Sequence, residues 1–168
     1  MNDLYKEIMV KPLPSPADAV KKVLLVIVAV VVLGLGVLIH PMIMLAGLVL
    51  LALEVWLIFP RFHVEYEYLY VNGDFDIDVI YNKNSRKRKG SYDHGNLEVM
   101  APTGSSHLDG YVKRQGLKTL DYSSRKEGEK TWTLIYSSES ALTALILELP
   151  DEITQDMRRY APQKVFFQ

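Results

Sequence analysis

The sequence predicts an α+β membrane protein, in which an N-terminal two-helix transmembrane hairpin precedes a small antiparallel β-sandwich or partly open barrel with a C-terminal helix. Three observations support this prediction. Two long apolar runs occupy residues 23–39 and 42–59. Apolar and charged residues then alternate on both sides of Asn72 and Gly73, as they do in a β-hairpin. Finally, residues 151–160 carry apolar side chains at helical spacing.

The two apolar runs are separated only by His40 and Pro41, and Glu54 is the single charged residue within them. One continuous helix over both runs would extend about 55 Å, well beyond the roughly 30 Å hydrocarbon core of a bilayer. Two antiparallel helices that fold back at His40 fit a bilayer instead. The chain therefore divides into an N-terminal lead (residues 1–22), a transmembrane hairpin (residues 23–59) and a cytoplasmic β domain (residues 61–168).

Basic residues flank the apolar runs on one side only. Four lysines precede the first run, Arg61 follows the second, and the turn between the runs carries no Lys or Arg. Because positively charged flanks stay in the cytoplasm, we expect both termini there, in a multi-pass protein of the cell membrane. Ser15 and Pro16 indicate a helix start ahead of the first run. The residues before them fit either a frayed terminus or a short helix on the lipid surface, with one side formed by Leu4, Tyr5, Ile8 and Met9.

Glu54 is the costly residue of the hairpin, because an ionised carboxylate in hydrocarbon is unfavourable and often marks a function. It lies five residues before Phe59, which places it about 7 Å inside the cytoplasmic boundary. At that depth it can reach lipid headgroups, or Lys21 and Lys22 on the paired helix. We interpret Glu54 as an intramembrane polar residue with an interfacial partner, and contact with another membrane subunit is the alternative.

The clearest local pattern lies around Asn72 and Gly73, a pair that favours the tight turn of a two-residue hairpin. This turn predicts that one face of the hairpin belongs in the core, with the opposed pairs Tyr70 and Phe75, Tyr68 and Ile77, and Tyr66 and Val79. The opposite face brings Glu67 beside Asp78. Two opposed carboxylates repel each other unless a cation lies nearby.

A source of cations follows in the sequence. A second turn returns the chain as a basic strand, defined here as Arg86, Lys87, Arg88 and Lys89. In the simplest register, Lys87 and Lys89 join the acidic side of the hairpin in a solvated charge network, which leaves Arg86 and Arg88 unengaged. The other interpretation is that the basic strand contacts a protein partner or anionic lipid headgroups, at about 1 kcal/mol per cation near a membrane. The residues leave both interpretations open.

The remainder of the domain also follows a strand pattern, with short strands predicted at residues 97–101, 117–122, 131–136 and 141–149. Residues 107–116 give no readable pattern. A closing helix begins after Pro150 and ends at Ala161, with an apolar stripe formed by Ile153, Met157 and Tyr160. One amphipathic helix after a run of strands is expected to cover an open end of the sheet.

The charge balance and the lack of cysteine exclude several function classes. From residue 61 onward the chain holds 15 Lys and Arg against 16 Asp and Glu, which gives nucleic acid no electrostatic attraction. The chain has no cysteine, so disulfides and thiolate catalysis are excluded. The sequence also lacks phosphate-binding glycine loops, a nucleophile elbow and a helical zinc motif, and we expect no cofactor.

One cluster keeps an enzyme in consideration. His63, Glu65 and Glu67 alternate along one strand face with Asp78 opposite, and such groups could ligate a metal. Exposed strands produce the same pattern by default, so we expect no metal there. The alternative functions are a metal-dependent enzyme that uses this cluster and a structural accessory subunit of a membrane complex.

Four stretches carry a resemblance to a known family: residues 66–81 (YEYLYVNGDFDIDVIY), the basic strand, LEVMAP at 97–102 and the terminal LPDEITQDMRRYAPQ. They resemble an uncharacterised family of small bacterial membrane proteins with two spans and a cytoplasmic domain. The order of strands and helix also resembles bacterial pleckstrin-homology-like (PH-like) domains. The resemblance implies a binding or scaffolding role toward a membrane or cytoplasmic protein partner or anionic lipid headgroups, and it carries over no catalytic residues.

Overall fold

The computed structural model describes residues 4–59, 63–138 and 141–168. Its strands and helices, in chain order, are β1 (Tyr5–Val10), α1 (Pro16–Leu38), α2 (Pro41–Leu53), β2 (Val64–Val71), β3 (Asp74–Tyr81), β4 (Ser85–Tyr92), β5 (Leu97–Pro102), α3 (Asp109–Val112), β6 (Lys118–Asp121), β7 (Trp132–Ser138), β8 (Ala141–Leu147) and α4 (Asp151–Tyr160). The chain forms two compact units. A helical unit contains residues 13–64 and 81–85, and a β unit contains the residues before 13 together with 65–80 and 86–168.

The helical unit contains two apolar helices, α1 and α2, and the break between them lies where the sequence predicts it. Ser15 is the N-cap of α1 with Pro16 in the first turn, and the His40 Nδ1 caps α2 by accepting a hydrogen bond from the Met42 N–H at 3.2 Å. In the part of the chain that is described, α1 alone is long and apolar enough to cross a membrane, judged by length and composition, and the second apolar helix (Pro41–Trp56) is shorter. Arg61, on which the predicted orientation partly rests, lies outside the described residues.

Small residues allow close contact between α1 and α2. Gly36 is buried, and a Cβ at that position would lie 2.2 Å from the backbone nitrogen of Met44. Gly47 is likewise buried against Leu33, at 2.9 Å from a side-chain carbon. Any larger side chain at either glycine would therefore force the two helices apart.

The first sheet has the strand order β1-β2-β3-β4. The prediction of a surface helix or frayed end near the N-terminus is wrong, because β1 pairs antiparallel with β2, with Ile8 opposite Tyr68. The Asn72 N–H donates to the Leu4 carbonyl at 3.2 Å and extends this pairing. The β unit therefore includes N-terminal residues that the predicted 61–168 boundary leaves out.

The hairpin of β2 and β3 confirms the predicted turn and core face. Asn72 and Gly73 have positive φ values of 49° and 98°, as a two-residue turn of this type requires. The rings of Tyr70 and Phe75 lie 5.0 Å apart, and both side chains are buried, as are Tyr68 and Ile77.

The second sheet has the order β5-β7-β8-β6 and departs from the predicted all-antiparallel arrangement. Strand β6 pairs parallel with β8, with Leu120 opposite Leu145. One cluster of apolar residues on this sheet includes Val99, Ile135 and Ala144, and it is covered by Leu108 and Phe166. The unreadable stretch 107–116 contributes Leu108 and the short helix α3 to this cover.

Helix α4 forms over the predicted residues, with Ile153 and Met157 fully buried. It is held to the first sheet by the buried Tyr70 hydroxyl, which donates to the Asp156 Oδ2 at 2.7 Å. The Tyr68 hydroxyl donates to the carbonyl of Tyr122 at 2.5 Å and connects the first sheet to the end of β6. The α+β class and the closing helix are thus confirmed.

Candidate functional site

Two neighbouring strands carry an acidic face, defined here as Glu67, Asp76 and Asp78. Because side chains alternate along a strand, these residues point away from the core residues Tyr68 and Ile77. Glu67 is only 5% exposed and Asp78 only 3%. A buried carboxylate needs a compensating cation. The side chains that neutralise Glu67 and Asp78 therefore contribute strongly to the stability of the acidic face.

Two arginines of the basic strand supply that charge. The Arg86 Nη2 lies 2.8 Å from both carboxylate oxygens of Glu67, and its Nη1 lies 3.9 Å from the Asp78 Oδ2. The Arg88 Nη2 lies 3.1 Å from the Asp76 Oδ2, and its Nε lies 3.5 Å from the Asp78 Oδ1. The five side chains form one connected charge network across β2, β3 and β4.

This network corrects the predicted register of the basic strand. Lys87 and Lys89 were expected on the acidic side, whereas Arg86 and Arg88 occupy it. The connection between β3 and β4 spans residues 82–84, and a change of one residue in register moves every side chain to the opposite face. The expectation of a solvated network is also wrong, because Glu67 and Asp78 are buried.

The two arginines remain partly available to a ligand. Their side chains are 54% and 60% exposed, and each guanidinium has five N–H donors, more than the carboxylates use. Lys87 and Lys89 are exposed on the same strand. Together these residues present an oriented, cationic strand at the edge of the first sheet.

The residues of the sequence-predicted metal cluster have other surroundings. Glu67 and Asp78 engage arginines, and His63 is exposed. Among the described residues, a different group has potential metal-ligand atoms within 4.8 Å of one another, and it consists of Asp74, Asp93 and His94. Sequence patterns offer little sign of this group, because Asp74 starts β3 while Asp93 and His94 follow β4, and only the folded chain brings them together.

Glu54 lies within the helical unit at the start of a π-helical turn, Glu54–Ile58. It is 2% exposed, and its Oε1 has no hydrogen-bond partner among the described residues. Lys21, one of its expected partners, lies 3.8 Å from Asp18 instead. Its role as an intramembrane polar residue stays a prediction.

Comparison with known proteins adds one finding. No curated protein and no solved structure matches the chain. A family model described as a bacterial PH-like domain (DUF6106) matches residues 2–167, which is nearly the whole sequence and includes both the helices and the two sheets. The chain therefore belongs to the bacterial PH-like domain family DUF6106.

Proposed function

We propose that this protein is a membrane-anchored binding protein whose PH-like domain presents the basic strand to anionic lipid headgroups at the cytoplasmic surface. The observation that carries the proposal is the orientation of Arg86 and Arg88 by the buried carboxylates beneath them. A guanidinium held from one side loses less side-chain entropy when its remaining N–H donors bind a phosphate. Charge-assisted hydrogen bonds of this kind suit the phosphodiester of a lipid headgroup.

The topology of the first sheet supports an anchor that crosses the membrane twice. Strands β1 and β2 are hydrogen-bonded neighbours, although 53 residues (11–63) separate them in the sequence. If α1 crosses the bilayer, the chain must cross back before it can enter β2. Helix α1, with 23 residues, extends about 35 Å, and the shorter second helix would cross with local thinning of the bilayer. Both termini then lie on the same side of the membrane, and the four lysines that precede the apolar run favour the cytoplasmic side.

Cysteine labelling tests this topology, since the natural chain has no cysteine. Ile39→Cys places a thiol between the helices, and Gln168→Cys places one at the C-terminus. A membrane-impermeant maleimide added to intact bacterial spheroplasts should label the first variant, and it should label the second only after the membrane is opened. Labelling of both from the same side would rule out a two-span anchor with cytoplasmic termini.

The headgroup interaction is tested on the full chain in proteoliposomes. An environment-sensitive dye on Ser85→Cys, at the start of β4, reports whether the strand approaches lipid that carries a headgroup quencher. Quenching should increase when phosphatidylglycerol is added to phosphatidylcholine, and it should decrease with salt. Lys87→Ser should lower the ratio of bound to unbound domain about fivefold, the equivalent of about 1 kcal/mol.

Lys118→Ser is the matched control, because Lys118 is also an exposed lysine on an edge strand but lies in the second sheet. It should leave quenching unchanged. Equal quenching in neutral and anionic vesicles, or equal effects of the two lysine variants, would refute headgroup binding by the basic strand. The same proteoliposomes would then serve for crosslinking to a protein partner.

A further inference from the structure

A second polar cluster lies in the β unit, apart from the basic strand. Asp74 is the first residue of β3, and Asp93 and His94 lie between β4 and β5. The His94 Nδ1 is 2.7 Å from the Asp74 Oδ1 and 3.9 Å from the Asp93 Oδ1. All three residues offer ligand atoms within 4.8 Å of one another.

Local structure holds these side chains in place. The His94 N–H donates to the Asp74 Oδ1 at 2.9 Å, and the Gly95 N–H donates to the Asp93 Oδ1 at 2.6 Å. The Asn72 and Gly73 turn packs directly on His94, since a Cβ on Gly73 would lie 3.2 Å from the His94 Cβ. The cluster is therefore fixed by two tight turns rather than by one mobile loop.

An independent observation comes from Tyr136 on β7. Its side chain is 3% exposed, and its hydroxyl has no hydrogen-bond partner in the described part of the chain. Burial raises the pKa of this phenol, and the charges of Asp74, Tyr92 and Asp93 raise it further, so the hydroxyl stays protonated and remains a donor. A buried donor without an acceptor is uncommon and calls for a ligand, an ion or an ordered water.

Tyr136 and Asp93 also line the same cavity, of about 750 Å³. The other lining groups are mainly polar, and they include Asn96, Ser91 and Thr143. The phenol and one carboxylate of the cluster thus share a polar cavity into which a hydrated ion can enter.

His94 and Asp74 are hydrogen-bonded, with 2.7 Å between Nδ1 and Oδ1, and the Asp93 Oδ1 lies 3.9 Å from the same nitrogen. Ligand atoms about 2.0–2.2 Å from a common metal lie roughly 3.0–3.5 Å from one another, so a bound ion would replace the proton of that hydrogen bond and draw Asp93 closer. We propose that Asp74, Asp93 and His94 bind one divalent transition-metal ion of the Zn²⁺ type. The Tyr136 hydroxyl donates a hydrogen bond to water on that ion.

Imidazole favours Zn²⁺ over the oxygen-preferring Mg²⁺ and Ca²⁺, which sets the expected selectivity. Three protein ligands leave a coordination position for water or for a donor group of a further ligand. The ion would join the start of β3 to the connection between β4 and β5, at the end of the sheet where the hairpin turns.

The test uses the full chain in detergent, without a polyhistidine tag and after dialysis against a chelator. Titration calorimetry and equilibrium dialysis with Zn²⁺ should give one ion per chain, and Mg²⁺ should bind at least tenfold more weakly. His94→Gln and Asp93→Asn should each weaken Zn²⁺ binding at least tenfold. His63→Gln is the matched control, because His63 is exposed and belongs to the alternative strand-face cluster.

Tyr136→Phe keeps all three ligands and should weaken binding by about tenfold, the usual size of an outer-shell effect. Circular dichroism shows whether each variant keeps its fold. Absence of stoichiometric Zn²⁺ binding, equal binding by His94→Gln and His63→Gln, or loss of binding with His63→Gln alone would overturn the proposal. Because the readout is metal binding, the result is independent of the lipid experiment.

Discussion

Replacing Arg86 by alanine is expected to destabilise the β unit, because Arg86 neutralises two buried carboxylates. Its guanidinium lies 2.8 Å from Glu67 and 3.9 Å from Asp78, and both acids are nearly inaccessible to solvent. Without it, Glu67 and Asp78 would oppose each other on neighbouring strands, with Arg88 the remaining cation of the network at 3.5 Å from Asp78.

The magnitude follows from this geometry. Removing one partner of a fully buried ion pair costs about 3–5 kcal/mol. Arg86 is itself about half exposed, so water can replace part of its charge, and we expect a loss of about 2 kcal/mol. For a domain of this size such a loss corresponds to a decrease of about 10 °C in Tm. Lys87→Ala, a neighbouring exposed cation on the same strand, should change stability by no more than about 0.5 kcal/mol.

Thermal unfolding of the full chain in mild detergent, followed by near-ultraviolet circular dichroism, measures the difference. A second substitution supplies the mechanism. Glu67→Gln removes the carboxylate that Arg86 neutralises, so in the Arg86→Ala background it should restore at least half of the lost stability. If Arg86→Ala and Lys87→Ala shift Tm equally, or if Glu67→Gln adds to the loss, the buried carboxylates do not depend on Arg86 for their stability.

Three further predictions concern the β unit. Tyr70→Phe deprives the buried Asp156 of its 2.7 Å hydrogen bond and should cost about 1.5–3 kcal/mol in the same melting assay, and an unchanged Tm would contradict this role. Deleting residues 1–12 removes the edge strand β1, so the shortened protein should lose its near-ultraviolet spectrum or aggregate, and a native, monomeric product would refute the pairing. Burial raises the pKa of Tyr68, Tyr70 and Tyr136, so above about pH 10 the unfolded chain releases phenolic protons that the folded chain retains. Stability should be unaffected by these groups below pH 10 and should fall above it by about 1.4 kcal/mol per pH unit for each tyrosine, and melting against pH without an alkaline decline would refute their burial.

The parts of the fold that the sequence predicted are those encoded locally. The turn residues Asn72 and Gly73 set the hairpin register, and strict alternation then placed Tyr68 and Ile77 in the core. The helix start at Ser15 and the closing helix likewise depend on neighbouring residues.

The parts that the sequence did not predict depend on distant partners. Strand β1 resembled a helix because its apolar residues also fit helical spacing, and only β2, about sixty residues later, makes it a strand. The sequence predicted strand β6 but not its parallel pairing with β8. That pairing depends on how the chain between the two strands crosses the sheet. In the candidate site, residue types indicated that acids would meet cations, but one residue of register decided that arginines rather than lysines meet them.

The composition of the network also determines what kind of headgroup binding is possible. The basic strand and the acidic face together hold four cations and three carboxylates, so they carry a net charge of about +1 and contribute only about 1 kcal/mol near an anionic surface. A free domain with so weak an attraction would not stay on a membrane. A domain tethered to the bilayer binds in an intramolecular step at millimolar effective concentration, so the same attraction gives a partly occupied equilibrium. Such an equilibrium responds to lipid composition and to salt, whereas tight binding would be saturated, so the proposed headgroup binding requires the proposed membrane anchor.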